Sequence, residues 1–509
     1  MYKIIKNVVA LNFLNFKNFI QNIKINHRDK KEILIEFQLH SSMMIVINFI
    51  IAILISYKYK VTFFYYSQLD NKYKNFLFKI SYFMFLKNFK KFNFNYVNLY
   101  AEKKNDNINL AKKIYKKIQN KNHLNNLTYK NHNIGKFIYQ SYCRELNQPT
   151  VILKDEKIVY FISEAINYVD HLTNFFEKNK FKKMIISHTI FIRYGILASV
   201  AKRFNCKIYI LFPGNNDGLL NKLRLLKVNK YLQQCESYWL FRKDFTKLKN
   251  KKKIFEISEK NLHQRIFKGK REAKTMWGKV TPYELRNIYK FNSSKPKIII
   301  LPSCFFDSVN FFRHSLFIDC YEWLDFVLSY AQKTDFDWYI KPHPDGKAGN
   351  EEILKKLKKK YPFLKILNRE VSNYSFKKYK FCSMFTWRGS AIGEFTYMNI
   401  PSVAASDNFH ISYEFGRPAT NKKILRDKIL NADKLKLKYK KNDLLEFNYM
   451  YNFDASRDWK VKNFFSRMIP SKIQKYNESN NFFSEYLRNK LILKNLKKKH
   501  ISILKNLID

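Results

Sequence analysis

The strongest constraint on this chain is a regular alternation of short apolar strands and helices in its second half. Residues 338–340, 381–386 and 402–404 are apolar runs of strand length, and each precedes a polar, Gly- or Pro-containing turn. A helical pattern at residues 390–398 separates two of these runs. Such alternation is typical of a parallel sheet covered by helices. Because ligands bind these sheets at the carboxyl ends of the strands, residues 338–415 are predicted to form a ligand site.

A similar alternation occupies the first half of the chain. The predicted strands are 32–37, 61–66, 183–187 and 207–212, and the predicted helices are 43–56, 159–179 and 196–204. Residues 73–130 are predicted to be mostly basic helical surface. The fold class is therefore α/β, with doubly wound domains. The predicted divisions are a lead-in at 1–30, a first α/β domain at 31–220, a helical insertion or interdomain region at 221–294, a second α/β domain at 295–425, and a basic helical extension at 426–509.

Length and composition bound the class of protein. A chain of 509 residues is too long for one hydrophobic core, and 46% hydrophobic residues exclude global disorder. The formal charge of +54 comes with abundant Lys, Tyr and Phe, whose AT-rich codons explain part of the excess. A basic surface attracts anionic membranes, nucleic acids and phosphorylated substrates. Because Lys lacks the bidentate fork of Arg, no specific nucleic-acid recognition is expected.

Cysteine spacing and hydropathy predict a cytoplasmic protein. The six cysteines are scattered without a C-x-x-C pair, which is typical of a reducing compartment and indicates no metal site. The apolar run at residues 43–57 is shorter than a standard membrane span and is predicted to be a buried helix. The basic amphipathic pattern at residues 481–507 fits either a helix packed across the body or one lying on anionic lipid. A peripheral position at the inner membrane therefore stays open.

Two motifs within residues 338–415 carry the candidate ligand contacts. In Lys341-Pro-His343-Pro344, the two prolines fix the backbone around the histidine and end the strand. In Arg388-Gly389-Ser390-Ala-Ile-Gly-Glu394, a strand turns into a helix, and free N–H groups at such a turn bind anions. Glu394 follows Ser390 by four residues, so it lies on the same helical face and can accept both hydroxyls of a ribose. His410 follows the last strand and is predicted to line the cleft.

At these residues the chain resembles GT-B glycosyltransferases of bacterial capsule and surface-polysaccharide synthesis, in particular the capsule β-Kdo transferases. The resemblance is specific over residues 297–420 and weaker over residues 32–212, where Gly135, Tyr142 and Arg144 fit the family pattern. Lys136 and Gln140 stand where acidic residues are expected. The resemblance implies a GT-B-like fold, in which two Rossmann-like, doubly wound domains face a cleft and a helical C-terminal extension follows.

The resemblance also implies roles for individual residues. The donor nucleotide would be held by Lys341, His343, Pro344, Arg388, Gly389, Ser390, Glu394 and His410. The catalytic base would come from the first domain or the facing loops, where the candidates are Glu36, His40, His188 and Asp307. The mechanism would be metal-independent, with no cofactor besides a nucleotide-sugar co-substrate, CMP- or UDP-linked. The acceptor would be lipid-linked or a polysaccharide, and an anionic membrane surface is a further candidate partner.

The expected function is therefore transfer of a sugar from a nucleotide-sugar donor to a capsule or other surface-polysaccharide acceptor. A polyol-phosphate transferase and a sugar-nucleotide epimerase are alternatives of the same fold. An alternative of another class is a non-catalytic basic protein that binds nucleic acid or a membrane surface. For that alternative, substitution of His343 or Glu394 would change nothing.

Overall fold

The computed structural model describes most of the two predicted α/β regions. The described residues are 31–37, 48–49, 51–53, 55–56, 58–66, 94–101, 105–213, 223–228, 235–267, 290–306, 314–343, 350–369 and 371–452. The predicted lead-in at 1–30 and the amphipathic pattern at 481–507 lie outside these residues. Within the described residues, no helix has both the length and the apolar character needed to cross a membrane.

The first unit is built on a six-stranded sheet with the order β3-β2-β1-β6-β7-β8. Neighbouring strands are parallel from β3 to β7, and β8 pairs with β7 in the antiparallel sense. The strands are β1 (Lys31–Glu36), β2 (Tyr59–Tyr65), β3 (Asn95–Asn98), β6 (Phe181–Ile186), β7 (Lys207–Pro213) and β8 (Leu223–Lys227), while β4 (Thr128–Tyr129) and β5 (His132–Asn133) form a separate hairpin. This is the strand order of a Rossmann-type domain, with an added edge strand.

Helices with one apolar face cover this sheet. The described helices of the unit are α1 (Asn105–Tyr115), α2 (Lys121–Asn125), α3 (Gly135–Glu145), α4 (Lys157–Lys178) and α5 (Ile196–Arg203), with a π-helical turn at Phe191–Gly195. Buried residues recur along α4 at helical spacing, for example Ile158, Ile162 and Ala165. They join α3, α5 and strands β6 and β7 in one hydrophobic core.

The second unit has a five-stranded, fully parallel sheet with the order β11-β10-β9-β12-β13. Its strands are β9 (Lys297–Ile300), β10 (Asp337–Ile340), β11 (Lys365–Ile366), β12 (Ser383–Thr386) and β13 (Ser402–Ala404). Its helices are α8 (Cys320–Ala331), α9 (Asn350–Lys360), α10 (Asn373–Lys378), α11 (Ala391–Tyr397) and α12 (Lys422–Leu430). The strand order again follows the Rossmann pattern, so the predicted pair of doubly wound α/β units is confirmed.

Helices that precede and follow the second α/β region in the sequence pack onto its sheet. A 3₁₀-helix (Cys235–Leu240), α6 (Phe241–Phe245), α7 (Lys251–Phe267) and α13 (Lys441–Asn452) share one hydrophobic cluster with this sheet. Phe241, Leu262 and Phe447 belong to this cluster together with Ile299 of β9. The described part of the predicted insertion at 221–294 thus includes helices that complete the core of the second unit.

A buried carboxylate joins the two units. Asp319 caps the N-terminus of α8 through the Glu322 N–H at 2.8 Å and is fully buried. Its other oxygen accepts hydrogen bonds from Tyr139 Oη at 2.5 Å and Thr150 Oγ1 at 2.6 Å, both in the first unit. Burial raises the pKa of Asp319, and the hydrogen bonds from Thr150, Tyr139 and the Glu322 N–H act in the opposite direction. This contact fixes α3 of the first unit against α8 of the second.

The elements that the sequence does not predict include two edge strands and a short helix. Residues 73–130 are predicted to be mostly helical, but β3 lies within them. Residues 221–294 are predicted to form a helical insertion, but β8 lies within them. Both are edge strands, which lack the continuous apolar pattern of central strands. Helix α10 is only six residues long and was missed. The predicted helix at 43–56 is helical at residues 48–49, 51–53 and 55, where described.

Gly135 provides a test of the packing between α2 and α3. A Cβ at this position would lie 1.9 Å from the Leu124 carbonyl oxygen, and a backbone atom cannot move aside as a flexible side chain can. We expect Gly135→Ala to cost about 2 kcal/mol and to lower the melting temperature by about 4–8 °C. Gly389→Ala is the control, since its Cβ would meet only Thr386 Oγ1 at 3.2 Å and Ala391 N at 3.9 Å. Equal melting temperatures for the two variants would contradict this packing.

Candidate active site

The strand order of each sheet defines one crevice. In the first sheet, successive strands are added in one direction from β1 and in the other direction from β6. In the second sheet, the order of addition reverses in the same way between β9 and β12. In doubly wound folds the loops after two such strands separate and leave a crevice at their carboxyl ends, where ligands bind. Polar side chains lie at both of these positions.

In the first unit, the crevice brings together Glu36 and His188. Glu36 is the last residue of β1, and its Oε2 accepts the N–H of Ser187 at 2.6 Å. Ser187 follows β6, and its Oγ lies 2.7 Å from Nδ1 of His188. The ring of Tyr194 lies 4.1 Å from that of His188, between ring centroids. Two separately predicted catalytic candidates therefore belong to one cluster, linked through Ser187.

Burial gives Glu36 an unusual pKa. The side chain is 4% exposed, and desolvation raises its pKa to about 7, although hydrogen bonds from Ser187 and Tyr194 act in the opposite direction. These donors are neutral groups. A carboxyl group that is half-ionised near neutral pH can take up and release a proton at little cost, as a general base must.

The loop after β6 is held in a strained conformation. Phe191 has a φ of 64°, which is uncommon for a bulky residue, and it begins the π-helical turn. Its N–H donates to Gln140 Oε1 at 3.0 Å, and the N–H of Ile192 donates to Ser141 Oγ at 3.0 Å. Left-handed backbone and π-turns concentrate at functional sites. Gln140, at a position where the family resemblance implies an acid, thus shapes this loop from α3.

In the second unit, Glu394 lies at the centre of a polar network. Its Oε2 accepts the Asn373 Nδ2–H at 2.7 Å, and its Oε1 forms an ion pair with Arg265 Nε at 2.7 Å. Asn373 Oδ1 in turn accepts a hydrogen bond from Lys341 Nζ at 2.5 Å. The network fixes the orientation of the Glu394 carboxylate.

Lys341 has a different position from the one predicted. It is 4% exposed, and its Nζ donates to the Val371 carbonyl oxygen at 3.0 Å as well as to Asn373. The ring of Phe376 lies 5.7 Å from the ammonium group. The side chain is therefore directed into the core, where it orients Asn373. Direct contact with a donor phosphate, as predicted, does not fit this geometry, because the buried ammonium is engaged by protein acceptors.

The turn after β12 is tied to the loop after β9. Ser303 Oγ donates to the Arg388 carbonyl oxygen at 2.8 Å, and Thr386 Oγ1 donates to the Leu301 carbonyl oxygen at 2.8 Å. The Arg388 guanidinium stacks over the Trp387 ring at 4.5 Å from its centroid. Ser390 stands at the N-cap of α11, yet its side chain makes no capping hydrogen bond. Gly389 and Ser390 are thus positioned at the crevice of the second sheet.

His410 is a core residue. It is fully buried, and its Nε2 accepts the N–H of Gly393 at 3.0 Å. The Phe447 ring lies 3.8 Å away, and burial lowers the pKa of His410 to about 3, so the ring is neutral. The predicted direct contact with a nucleotide does not fit this burial. His410 instead supports α11, and it packs closely on Gly393, where a Cβ would lie 3.0 Å from its Nε2.

The remaining predicted residues divide into two groups. His343 is half-buried and follows β10, next to the crevice strand β9. Pro344, Asp307 and His40 lie outside the described residues. Within the described residues, no group of three His, Cys, Asp or Glu side chains could hold a metal ion.

Several residues of the two clusters were not predicted, namely Ser187, Tyr194, Arg265, Ser303 and Asn373. Ser187 carried a usable signal, because it ends a predicted strand. Arg265 carried none, since it lies on a helix far from the second sheet in sequence.

Neither a protein-family model nor a curated protein sequence matches the chain. Solved structures do. The β-Kdo 2,4 transferase of KpsC from Thermosulfurimonas dismutans is 12% identical, with a TM-score of 0.37, and the match covers 53% of this chain and 80% of that one. The β-Kdo 2,7 transferase of the same protein is 14% identical, with a TM-score of 0.32 and coverages of 55% and 80%.

A UDP-GlcNAc 2-epimerase from Methanocaldococcus jannaschii, solved with UDP-GlcNAc and UDP, is also similar. It is 9% identical, with a TM-score of 0.26, and the match covers 82% of this chain and 97% of that one. The resemblance to GT-B-like proteins of capsule and surface-polysaccharide synthesis thus has counterparts among solved structures. Identities this low and TM-scores below 0.5 support no inference about activity. The assignment of two Rossmann-type units therefore rests on the strand orders themselves.

Proposed function

We propose that the protein is a nucleotide-sugar-dependent glycosyltransferase of surface-polysaccharide synthesis, with the donor on the second unit and the acceptor on the first. One observation carries the proposal. Each of two Rossmann-ordered sheets has a polar cluster at its crevice, and the cluster of the first includes a buried carboxyl group, Glu36, whose pKa is raised to about 7. Two crevices with different chemistry suit two substrates, one bound by polar recognition and one activated by a base.

The donor half uses Glu394 and the turn after β12. Glu394, oriented by Arg265 and Asn373, accepts hydrogen bonds from the ribose hydroxyls. Arg388 and the backbone N–H groups at Gly389 and Ser390 face the diphosphate or phosphate of the donor. Cationic and backbone donors at such a turn stabilise the negative charge that develops as the nucleotide leaves, without a metal ion.

The acceptor half uses Glu36 as the general base. As the acceptor oxygen bonds to the anomeric carbon, its proton passes to Glu36, and the bond from that carbon to the donor phosphate oxygen breaks. The nucleotide leaves with the electron pair, so charge and atoms balance. Ser187 orients the Glu36 carboxylate through its N–H and lies against His188. Protonated Glu36 is tolerated because burial has raised its pKa.

The same donor half would serve a polyol-phosphate transferase or a sugar-nucleotide epimerase. These activities differ in their products. Transfer of the sugar releases a nucleotide and extends an acceptor, transfer of polyol phosphate releases a nucleoside monophosphate, and epimerisation leaves the sugar on the nucleotide or as a free sugar. Product analysis after incubation with CMP-, CDP-, UDP- and GDP-linked donors distinguishes them.

Nucleotide binding tests the donor half. We expect at least one of CMP, CDP, UDP and GDP to raise the melting temperature, since a ligand at 100 times its Kd stabilises the folded state by about 2.7 kcal/mol. Glu394→Ala should abolish this shift because it removes the ribose acceptor. Glu322→Ala is the control: Glu322 is also a helical, ion-paired glutamate, 2.8 Å from Lys121. An unchanged shift in Glu394→Ala, or no shift with any nucleotide, would contradict the assignment.

The pH dependence of transfer tests Glu36. A base must be deprotonated, so kcat/KM should fall about tenfold per pH unit below a pKa of about 7 and level off above it. Glu36→Gln should lower kcat by about 100-fold or more and remove this acidic limb.

Glu446 provides the matched control for this experiment. Burial also raises the pKa of Glu446 to about 7. Glu446 lies on α13, outside both crevices, and accepts a hydrogen bond from Tyr413 Oη at 3.1 Å. Glu446→Gln should leave the acidic limb in place. If Glu446→Gln removed the limb and Glu36→Gln kept it, the assigned base would be wrong.

A further inference from the structure

A second surface lies on the segment that precedes α7. Trp239 and Leu240 are 43% and 40% exposed, and they are the only two consecutive residues among the exposed large hydrophobic side chains of the described chain. Their aromatic neighbours on either side, Tyr238 and Phe241, are buried. Large apolar side chains are exposed here in a pair, instead of singly as on an ordinary surface.

The pair is held outward by a rigid base. The Tyr238 ring packs 4.9 Å from that of Phe409, and the Tyr238 carbonyl oxygen accepts a hydrogen bond from Ser412 Oγ. Phe241 belongs to the core cluster of the second unit. Because both neighbours are anchored, the exposure of Trp239 and Leu240 follows from the fold and not from an unpacked end.

Basic residues follow this pair along the chain. Residues 242–253 contain seven basic and one acidic residue, and all seven basic side chains are exposed. Lys243 lies on α6, four residues after Trp239, and Lys247 follows the end of α6. Arg242 pairs with Asp443 and Lys247 with Asp244, but the segment keeps a large excess of positive charge.

We propose that residues 239–253, called the Trp239 surface below, bind the headgroup region of an anionic membrane. Trp239 and Leu240 enter the interface, and the lysines contact lipid phosphates. Trp prefers the headgroup level of a bilayer, and each Lys near an anionic surface contributes about fivefold in affinity. A nucleic acid would also attract the lysines but gives Leu240 no apolar environment. This inference goes beyond the proposed function, because it uses no residue of either crevice.

Vesicle co-sedimentation of the full-length protein tests the proposal. Vesicles of phosphatidylcholine with one quarter phosphatidylglycerol should bind the protein, and pure phosphatidylcholine vesicles should not. Trp239→Ser with Leu240→Ser should lower the affinity about fivefold or more, and Lys249→Gln with Lys251→Gln and Lys252→Gln at least tenfold. Both variants should keep the nucleotide-induced melting shift, which shows that they fold.

The matched controls lie elsewhere on the described surface. Ile152→Ser removes an equally exposed apolar side chain, 48% exposed in the first unit. Lys355→Gln with Lys356→Gln and Lys359→Gln removes the same charge from the exposed side of α9. Both controls should bind vesicles like the wild type.

Three results would overturn the proposal. Equal losses in the α9 control would mean that total charge, and not this surface, attracts lipid. Unchanged vesicle binding of the Trp239/Leu240 variant would show that these apolar side chains do not enter the membrane interface. Loss of single-stranded DNA binding with unchanged vesicle binding in the Lys249/Lys251/Lys252 variant would assign the surface to nucleic acid.

Discussion

The parallel pairing of β1 with β6, and of β9 with β12, is the constraint on which the proposed site depends. In each sheet the chain passes outward to one edge, returns, and then builds the other edge from the opposite side of the first strand. Loops that leave two such strands point away from each other, and no helix can fill the space between them. Polar side chains at the strand ends therefore remain beside a crevice, although the strands are buried over most of their length.

The two crevices treat their carboxylates differently. Among the described residues, the donors to the buried Glu36 carboxyl group are the neutral Ser187 and Tyr194, and desolvation is the largest influence on its pKa. Glu394 is buried too, but the Arg265 guanidinium lies against it. The surroundings of the two carboxyl groups thus differ, with neutral hydrogen-bond donors at Glu36 and a guanidinium group at Glu394. Divergent environments for two carboxyl groups are how one protein assigns proton transfer to one and fixed recognition to the other.

Support for these carboxylates comes from distant parts of the chain. Arg265 lies on α7, which packs with α13 onto the second sheet, and Gln140 lies on α3, whose neighbour Tyr139 bonds to Asp319 of the second unit. Helix α3 thus contacts both the strained loop after β6 and the partner unit. We therefore expect a change in the relative orientation of the units to shift the backbone of the Phe191 turn. This continuity links the Asp319 contact to the geometry around His188.

The sequence was most informative where chemistry follows a strand. Central strands, their following turns and the long helix α4 could be predicted because continuous apolar runs and helical periodicity mark them directly. Glu36 and His188 could be proposed individually, but their common cluster depends on the strand order, which no local pattern encodes. The direction of a side chain is equally hidden. Lys341 and His410 stand in polar-looking motifs, yet the fold turns both into the core.

Hydrogen exchange of the full-length protein, with and without the nucleotide that stabilises it, tests most directly whether the donor binds at the crevice of the second sheet. If the donor binds the second crevice, exchange should slow in peptides that cover residues 301–303 and 386–394 and stay unchanged in those that cover residues 36–37 and 187–195. Protection confined to the first unit, or spread evenly over both, would contradict the assignment of the donor to the second crevice.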